Sequence, residues 1–170
     1  MQRFKARLVW GGIHQIKCIE YQATYAPTAH LGHVRLTVAI AAKYDIKIHQ
    51  IAICTAYLGV DLEEEIYMHP PQGYIPLLQN GIRYYYPRSK TSWKMVLRLK
   101  KFLYGLKQSP HFWYGTCKDF MISIGFVASH VERGLFVLED EGTVSAAVVL
   151  YVDDLLIIAM RAWLGRLRIR

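Results

Sequence analysis

The sequence predicts an α+β domain, in which helices mix with a largely antiparallel sheet. Leu31 to Tyr44 and Ser109 to Gly125 space their apolar residues at helical intervals. Ile46 to Cys54, Trp93 to Leu99 and Leu135 to Leu138 read as strands, either β-branched or alternating. Val144 to Met160 is an apolar run broken near its centre by Asp153 and Asp154, which fits a strand–turn–strand hairpin with both carboxylates at its tip. With 170 residues there is room for one domain with a substantial core and too little for two generous ones.

Each element follows from its residues. "RFKARLVW" (Arg3 to Trp10) reads as a strand with Arg3, Lys5 and Arg7 alternating on one face. In the first helix Leu31, Val34, Val38, Ala41 and Ala42 form the apolar stripe. "IKIHQIAIC" is apolar on both faces, as a strand inside a packed sheet should be. An acidic turn, Asp61 to Glu65, and a loop signal, "HPPQGY" (His69 to Tyr74), follow. Residues 75 to 92 read as irregular, with Asn80-Gly81 a turn and Tyr84, Tyr85 and Tyr86 an aromatic cluster. In the next strand Trp93, Met95, Leu97 and Leu99 face one way, and Lys94, Arg98 and Lys100 mostly the other. The second helix has Ser109 as cap and Pro110 at its first position. Its apolar face is Trp113, Cys117, Phe120, Met121 and Ile124, and Gly125 ends it. A turn at Glu139 to Gly142 leads into the aspartate hairpin.

Charge and cysteines bound the setting. The net charge is +8 and the pI about 9.4, which suits a polyanionic partner such as nucleic acid, or simply a basic soluble domain. Cys18, Cys54 and Cys117 are widely spaced and odd in number, which argues against a disulfide framework or zinc knuckle and suits a reducing intracellular setting. The N-terminus has no apolar signal region. A membrane span over Val144 to Met160 would bury two aspartates at about 2.5–3.5 kcal/mol each, so no membrane association is expected. His30 and His33, three apart, lack a cysteine or acidic companion in sequence and read as helix-start histidines rather than zinc ligands.

Adjacent aspartates at a hairpin tip point into nearly the same volume, and like charges that close need a cation between them. Mg²⁺ is the natural partner, since it takes oxygen ligands, keeps several waters and is completed by phosphates. Paired carboxylates of this kind hold the two ions of phosphoryl transfer about 3.5–4 Å apart.

The order of motifs strongly resembles the reverse transcriptase domain of copia-type LTR retrotransposons. The matching pieces are "KARLV" (Lys5 to Val9), "YQATYAPTAHLGHVRL" (Tyr21 to Leu36), "HQIAICTAYL" (His49 to Leu58), "LEEEIYM" (Leu62 to Met68), "LYGLKQSPHFWY" (Leu103 to Tyr114), Gly125–Phe126 and "LYVDDLLIIA" (Leu150 to Ala159). The resemblance implies a right-hand polymerase fold over residues 1–159, fingers and palm in one domain, with 160–170 a divergent basic tail. It implies an RNA-directed DNA polymerase using Mg²⁺ or Mn²⁺, with an RNA/DNA template-primer and deoxynucleoside triphosphates as partners. Asp153 would be a direct metal ligand, Asp154 its neighbour in the site, and the Ile53 carbonyl a further metal contact. Tyr57 falls where the family has an aromatic gate against the ribose 2′-hydroxyl, and Gln108 where a glutamine contacts nucleotide or template. Lys5 and Arg7 are the triphosphate candidates of the fingers.

One departure decides the expected chemistry. The family's first palm strand ends in an aspartate that bridges both ions, and here that position is Ala52. Loss of a ligand supplying several kcal/mol of transition-state stabilisation costs roughly a thousandfold or more in rate. Asp45 and Asp61 lie seven residues before and nine after Ala52, too far to substitute without a large rearrangement. His111, Gly11, Glu132–Arg133 and Cys54 also depart from the family pattern, and the resemblance stops at Ala159, before the rest of the palm, the thumb and the RNase H domain. The expectation is a degenerate polyprotein fragment, catalytically dead or nearly so. The alternatives are a non-catalytic basic nucleic-acid-binding remnant and a relic without function.

Overall fold

The computed structural model describes residues 6–71, 84–89 and 92–160. Lys5, the Asn80-Gly81 turn and the basic tail beyond Met160 lie outside the described residues. In chain order the elements are α1 (Leu31–Lys43), β1 (Ile48–Ala52), β2 (Tyr67–Met68), β3 (Tyr84–Ser89), β4 (Ser92–Arg98), α2 (Ser109–Ser123), β5 (Val127–Ala128), β6 (Leu135–Asp140), β7 (Thr143–Tyr151) and β8 (Asp154–Ala159). The fold is mixed α and β, and the chain divides into two compact units. One comprises Met1–Gln22 and Tyr57–Ser109, the other Ala23–Ala56 and Pro110–Arg170.

The second unit is built on a five-stranded antiparallel sheet ordered β1-β8-β7-β6-β5. Two-residue turns set its register. Glu141 and Gly142 both have positive φ (50° and 76°), the type I′ geometry whose twist matches flanking strands, and they join β6 to β7. Val152 and Asp153 join β7 to β8, so the aspartate hairpin forms with one carboxylate in the turn and the other at the first position of β8.

Period-two alternation then sorts the side chains. Ala146, Val148 and Leu150 of β7 share a face with Leu155, Ile157 and Ala159 of β8, and with Phe136 they pack against Cys117 and Met121 of α2. On the opposite face Ala147 and Ile158 pack against Ala41 of α1. Helix α2 stops at Gly125, whose φ of 96° frees its N–H for the Ile122 carbonyl (3.0 Å) and the Phe126 N–H for the Met121 carbonyl (3.0 Å). Glu132, buried before β6, accepts from the His30 N–H at the N-terminus of α1 (3.3 Å) and from the Gly134 N–H (3.2 Å). The His33 ring lies 3.0 Å from the same carboxylate. Burial alone would raise the Glu132 pKa, but these hydrogen bonds and the nearby imidazoles outweigh it and hold the carboxyl below its ordinary value.

The first unit carries a three-stranded sheet ordered β2-β4-β3. A buried polar knot organises it. Gln108, fully buried, donates to the Glu64 carboxylate and the Glu20 carbonyl (both 2.9 Å) and accepts from the Gln15 amide (3.0 Å). The Gln15 oxygen in turn accepts from the Lys107 N–H at 2.8 Å. Backbones meet here closely. A Cβ on Gly105 (φ 96°) would stand 2.1 Å from the Trp10 carbonyl oxygen, so only glycine fits.

Four expectations need correction. β1 pairs only with β8 among the described residues and is mostly exposed, an edge strand rather than a central one. Its apolar residues misled because one flank of the strand is left uncovered. Residues 84–89 are not irregular but form β3, because pairing to β4 overrides the local turn signals. Within "RFKARLVW" the described part makes one bridge, Val9 to Tyr104, and no strand. Ser109 lies inside α2, and its hydroxyl donates to the Leu103 carbonyl (2.7 Å) instead of capping.

Candidate functional site

The β1–β8 pairing builds the site. Ile48 pairs with Ile158, and the ladder runs in register to Ala52 opposite Asp154. The Ile53 N–H then donates to the Asp153 carbonyl at 2.7 Å. Ile53 and Asp153 are thus a hydrogen-bonded pair, which makes Ala52 and Asp154 the close, non-hydrogen-bonded pair beside it. Directly opposed residues share a face of the sheet, with Cβ atoms about 4.5–5.5 Å apart. The position read as lacking its carboxylate therefore stands across from one of the two that remain. Asp154 is exposed, while Asp153 is half-buried with its Oδ1 shielded from solvent.

The turn that presents the pair is strained. Val152 has a φ of 53°, a region β-branched residues rarely enter and which costs on the order of 1–3 kcal/mol. Its carbonyl accepts a hydrogen bond from the Trp113 indole Nε1 on α2 at 2.8 Å.

Among the described residues no cluster of three or more His, Cys, Asp or Glu side chains could hold a metal ion. Asp45 follows α1 in a left-handed conformation (φ 51°), before the end of β1 remote from Ala52. Asp61 pairs with Lys101 Nζ at 2.6 Å in the other unit. The donors at the hairpin, two adjacent carboxylates and the Ile53 carbonyl, fit a single oxygen-ligated cation of the Mg²⁺ type. A two-ion arrangement takes a further carboxylate from the facing strand, where Ala52 stands.

Of the other predicted site residues, Tyr57, Arg7 and Gln108 lie in the first unit. Tyr57 is buried in a short 3-10 turn, Ala56–Gly59, and its ring lies 4.6 Å from that of Tyr104, tilted by 49°. Arg7 is exposed, with its guanidinium 5.4 Å above the Tyr104 ring. Gln108 spends its amide inside the buried knot. His111 sits in the second unit, its Nδ1 2.7 Å from the Tyr25 carbonyl. The sequence reading missed the Trp113–Val152 bond and the Gln15–Gln108 pair. The first left no local signal, since Trp113 read as an ordinary member of an apolar helix face. The second joins residues 93 apart in sequence.

Residues 1–163 match the family described as reverse transcriptase (RNA-dependent DNA polymerase). The chain belongs to that family. It is 34% identical over 156 residues to the retrovirus-related Pol polyprotein from transposon TNT 1-94 of Nicotiana tabacum, covering 92% of this chain and 11% of that protein. It is 33% identical over 157 residues to the corresponding polyprotein from transposon RE1 of Arabidopsis thaliana, covering 92% of this chain and 10% of that one. A third relative, the Ty1-ER2 Gag-Pol polyprotein of Saccharomyces cerevisiae, is 34% identical over 109 residues, 61% of this chain and 5% of its own length. The copia-type resemblance of the motifs is thereby shown, and the chain spans about a tenth of the length of the two plant relatives. No solved structure matches it. Among the described residues no helix is long and apolar enough to cross a membrane.

Proposed function

We propose that the chain is a fingers-and-palm piece, residues 1–159, of a copia-type reverse transcriptase that no longer carries out its ancestral reaction. That reaction is templated addition of a deoxynucleotide to a primer 3′-hydroxyl. One observation carries the proposal: Ala52, with no oxygen to offer, stands in register opposite Asp154. Bound divalent ions supply charge neutralisation at the attacking and leaving oxygens in such chemistry. Asp153 and Asp154, with the Ile53 carbonyl, would hold one ion, and the position from which a bridging carboxylate would reach a second is Ala52.

The other roles are part of the same proposal. Tyr57 closes the space beneath a nucleotide's C2′, where a ring leaves no room for a hydroxyl. Arg7 and Lys5 are the candidates for triphosphate contact, and Gln108 the candidate for the nucleotide or template contact. The buried hydrogen bonds of Gln108 favour its acting by holding the surrounding loop rather than by direct reach.

Primer extension on an RNA template with Mg²⁺ or Mn²⁺ tests the proposal, with Ala52→Asp as the comparison. We expect no extension by the unmodified chain. Robust synthesis by it would overturn the role given to Ala52.

The net charge of +8 favours a second reading, a basic remnant, tail included, that binds nucleic acid without chemistry. Its affinity for an RNA/DNA duplex should fall steeply between 50 and 200 mM salt (roughly a 10³-fold loss for six phosphate contacts) as counterions are released. Affinity indifferent to salt contradicts it. An intracellular setting without membrane association accompanies both readings.

A further inference from the structure

The hairpin that carries the two aspartates is gripped at consecutive carbonyls. The Ile53 N–H, just beyond the end of β1, holds the Asp153 carbonyl at 2.7 Å, and the Trp113 indole, from α2, holds the Val152 carbonyl at 2.8 Å. Between these two grips lies the peptide whose orientation sets where Asp153 and Asp154 point. The grip from α2 acts at Val152, whose φ of 53° lies in a region that β-branched residues rarely enter.

Helix α2 is well placed to serve as an anchor. Cys117 and Met121, one and two turns on from Trp113, lie in the core beneath β7 and β8, and Trp113 and Tyr114 pack at its margin. The Tyr114 hydroxyl donates to the Arg133 carbonyl at 2.9 Å. Neighbouring residues of one helical turn thus tie it to the aspartate turn and to the loop before β6.

We propose that Trp113 is a positioning residue of the aspartate hairpin: its indole N–H locks Val152 in the left-handed turn that aims Asp153 and Asp154 at a shared divalent cation. The inference rests on the reading of the hairpin as a cation site. It adds a residue outside the ligand set, acting through the backbone. Groups that orient metal ligands in this way typically contribute about 10–100-fold to metal affinity.

Mn²⁺ affinity, followed by the electron paramagnetic resonance of free Mn²⁺, tests it in the Ala52→Asp chain. Trp113→Phe keeps a ring in the core and removes the donor, and should weaken Mn²⁺ binding about 10–100-fold. Val152→Gly relieves the strained φ at no steric cost, so the same Trp113→Phe change should then lose much less. A tryptophan that merely fills the core would show no such rescue. Unchanged affinity in Trp113→Phe, or equal losses with and without Val152→Gly, overturns the inference and leaves the cation site standing. If Ala52→Asp binds Mn²⁺ no better than the unmodified chain, the cation-site reading itself falls and takes the inference with it. Should Trp113→Phe fail to fold, solvent exchange of the Trp113 indole proton in the unmodified chain decides. Slow exchange supports the bond to Val152, and free exchange with water overturns it.

Discussion

Ala52 and Asp154 are direct cross-strand partners in a close, non-hydrogen-bonded pair, one residue from the Ile53–Asp153 hydrogen bond that closes the hairpin site. An aspartate at position 52 would therefore place its Cβ about 4.5–5.5 Å from that of Asp154, close enough for the two carboxylates to share a cation.

The knot around Gln108 makes a stability prediction. Gln108→Ala strands the buried Gln15 amide and removes a partner of the half-buried Glu64 carboxylate, which should cost about 1–3 kcal/mol. Chemical denaturation of the first unit's signals measures it. A loss below about 0.5 kcal/mol would mean that water replaces the amide without penalty.

Gly105→Ala should be worse tolerated than a typical surface glycine change. The added methyl would meet the Trp10 carbonyl at 2.1 Å while φ is 96°. The expected cost is on the order of 3 kcal/mol, read as a fall in melting temperature or loss of soluble protein. A melting temperature equal to that of the unmodified chain contradicts the close approach.

Thiol chemistry should separate the cysteines. Cys18 and Cys54 are exposed, whereas burial pushes the Cys117 thiol up to about 11. An aromatic disulfide reagent at pH 8 should modify two thiols of the folded chain quickly and the third only on unfolding. Three fast thiols would show that the α2 core is open.

Acid should loosen the second unit through Glu132. Its carboxyl pKa is lower in the folded chain than in the unfolded one, so its stabilising contribution is complete above the unfolded value. That contribution is lost as pH falls from about 4.5 through the folded value. Glu132→Gln should flatten the acid side of the stability profile in this window and lower stability at pH 7. Parallel profiles for both proteins would show that Glu132 has the same pKa folded and unfolded.

Much of this was legible in the residues. Helix α1 runs within one residue of its expected span, but of its expected apolar stripe only Ala41 is buried, while Leu31, Val38 and Ala42 are exposed. The aspartate hairpin lies where the broken apolar run put it. The edge position of β1 was not legible, since apolar residues record burial somewhere in the protein but not which flank is covered. β3 escaped because its pairing with β4 is tertiary information. In the site, the motifs singled out the aspartates and Ala52, and the strand register sets Ala52 opposite Asp154. The Trp113 bond and the Gln15–Gln108 pair join residues far apart in sequence, and nothing local in either partner announces the other.

The most direct test of the central claim is a Mn²⁺ titration of the unmodified chain beside Ala52→Asp and Asp153→Asn. The unmodified chain should bind at most one ion weakly at the hairpin, Ala52→Asp should bind about tenfold or more tightly, and Asp153→Asn should abolish both. Two tightly held ions on the unmodified chain, lost in Asp153→Asn, would show that another group already supplies the bridge and that Ala52 is no defect.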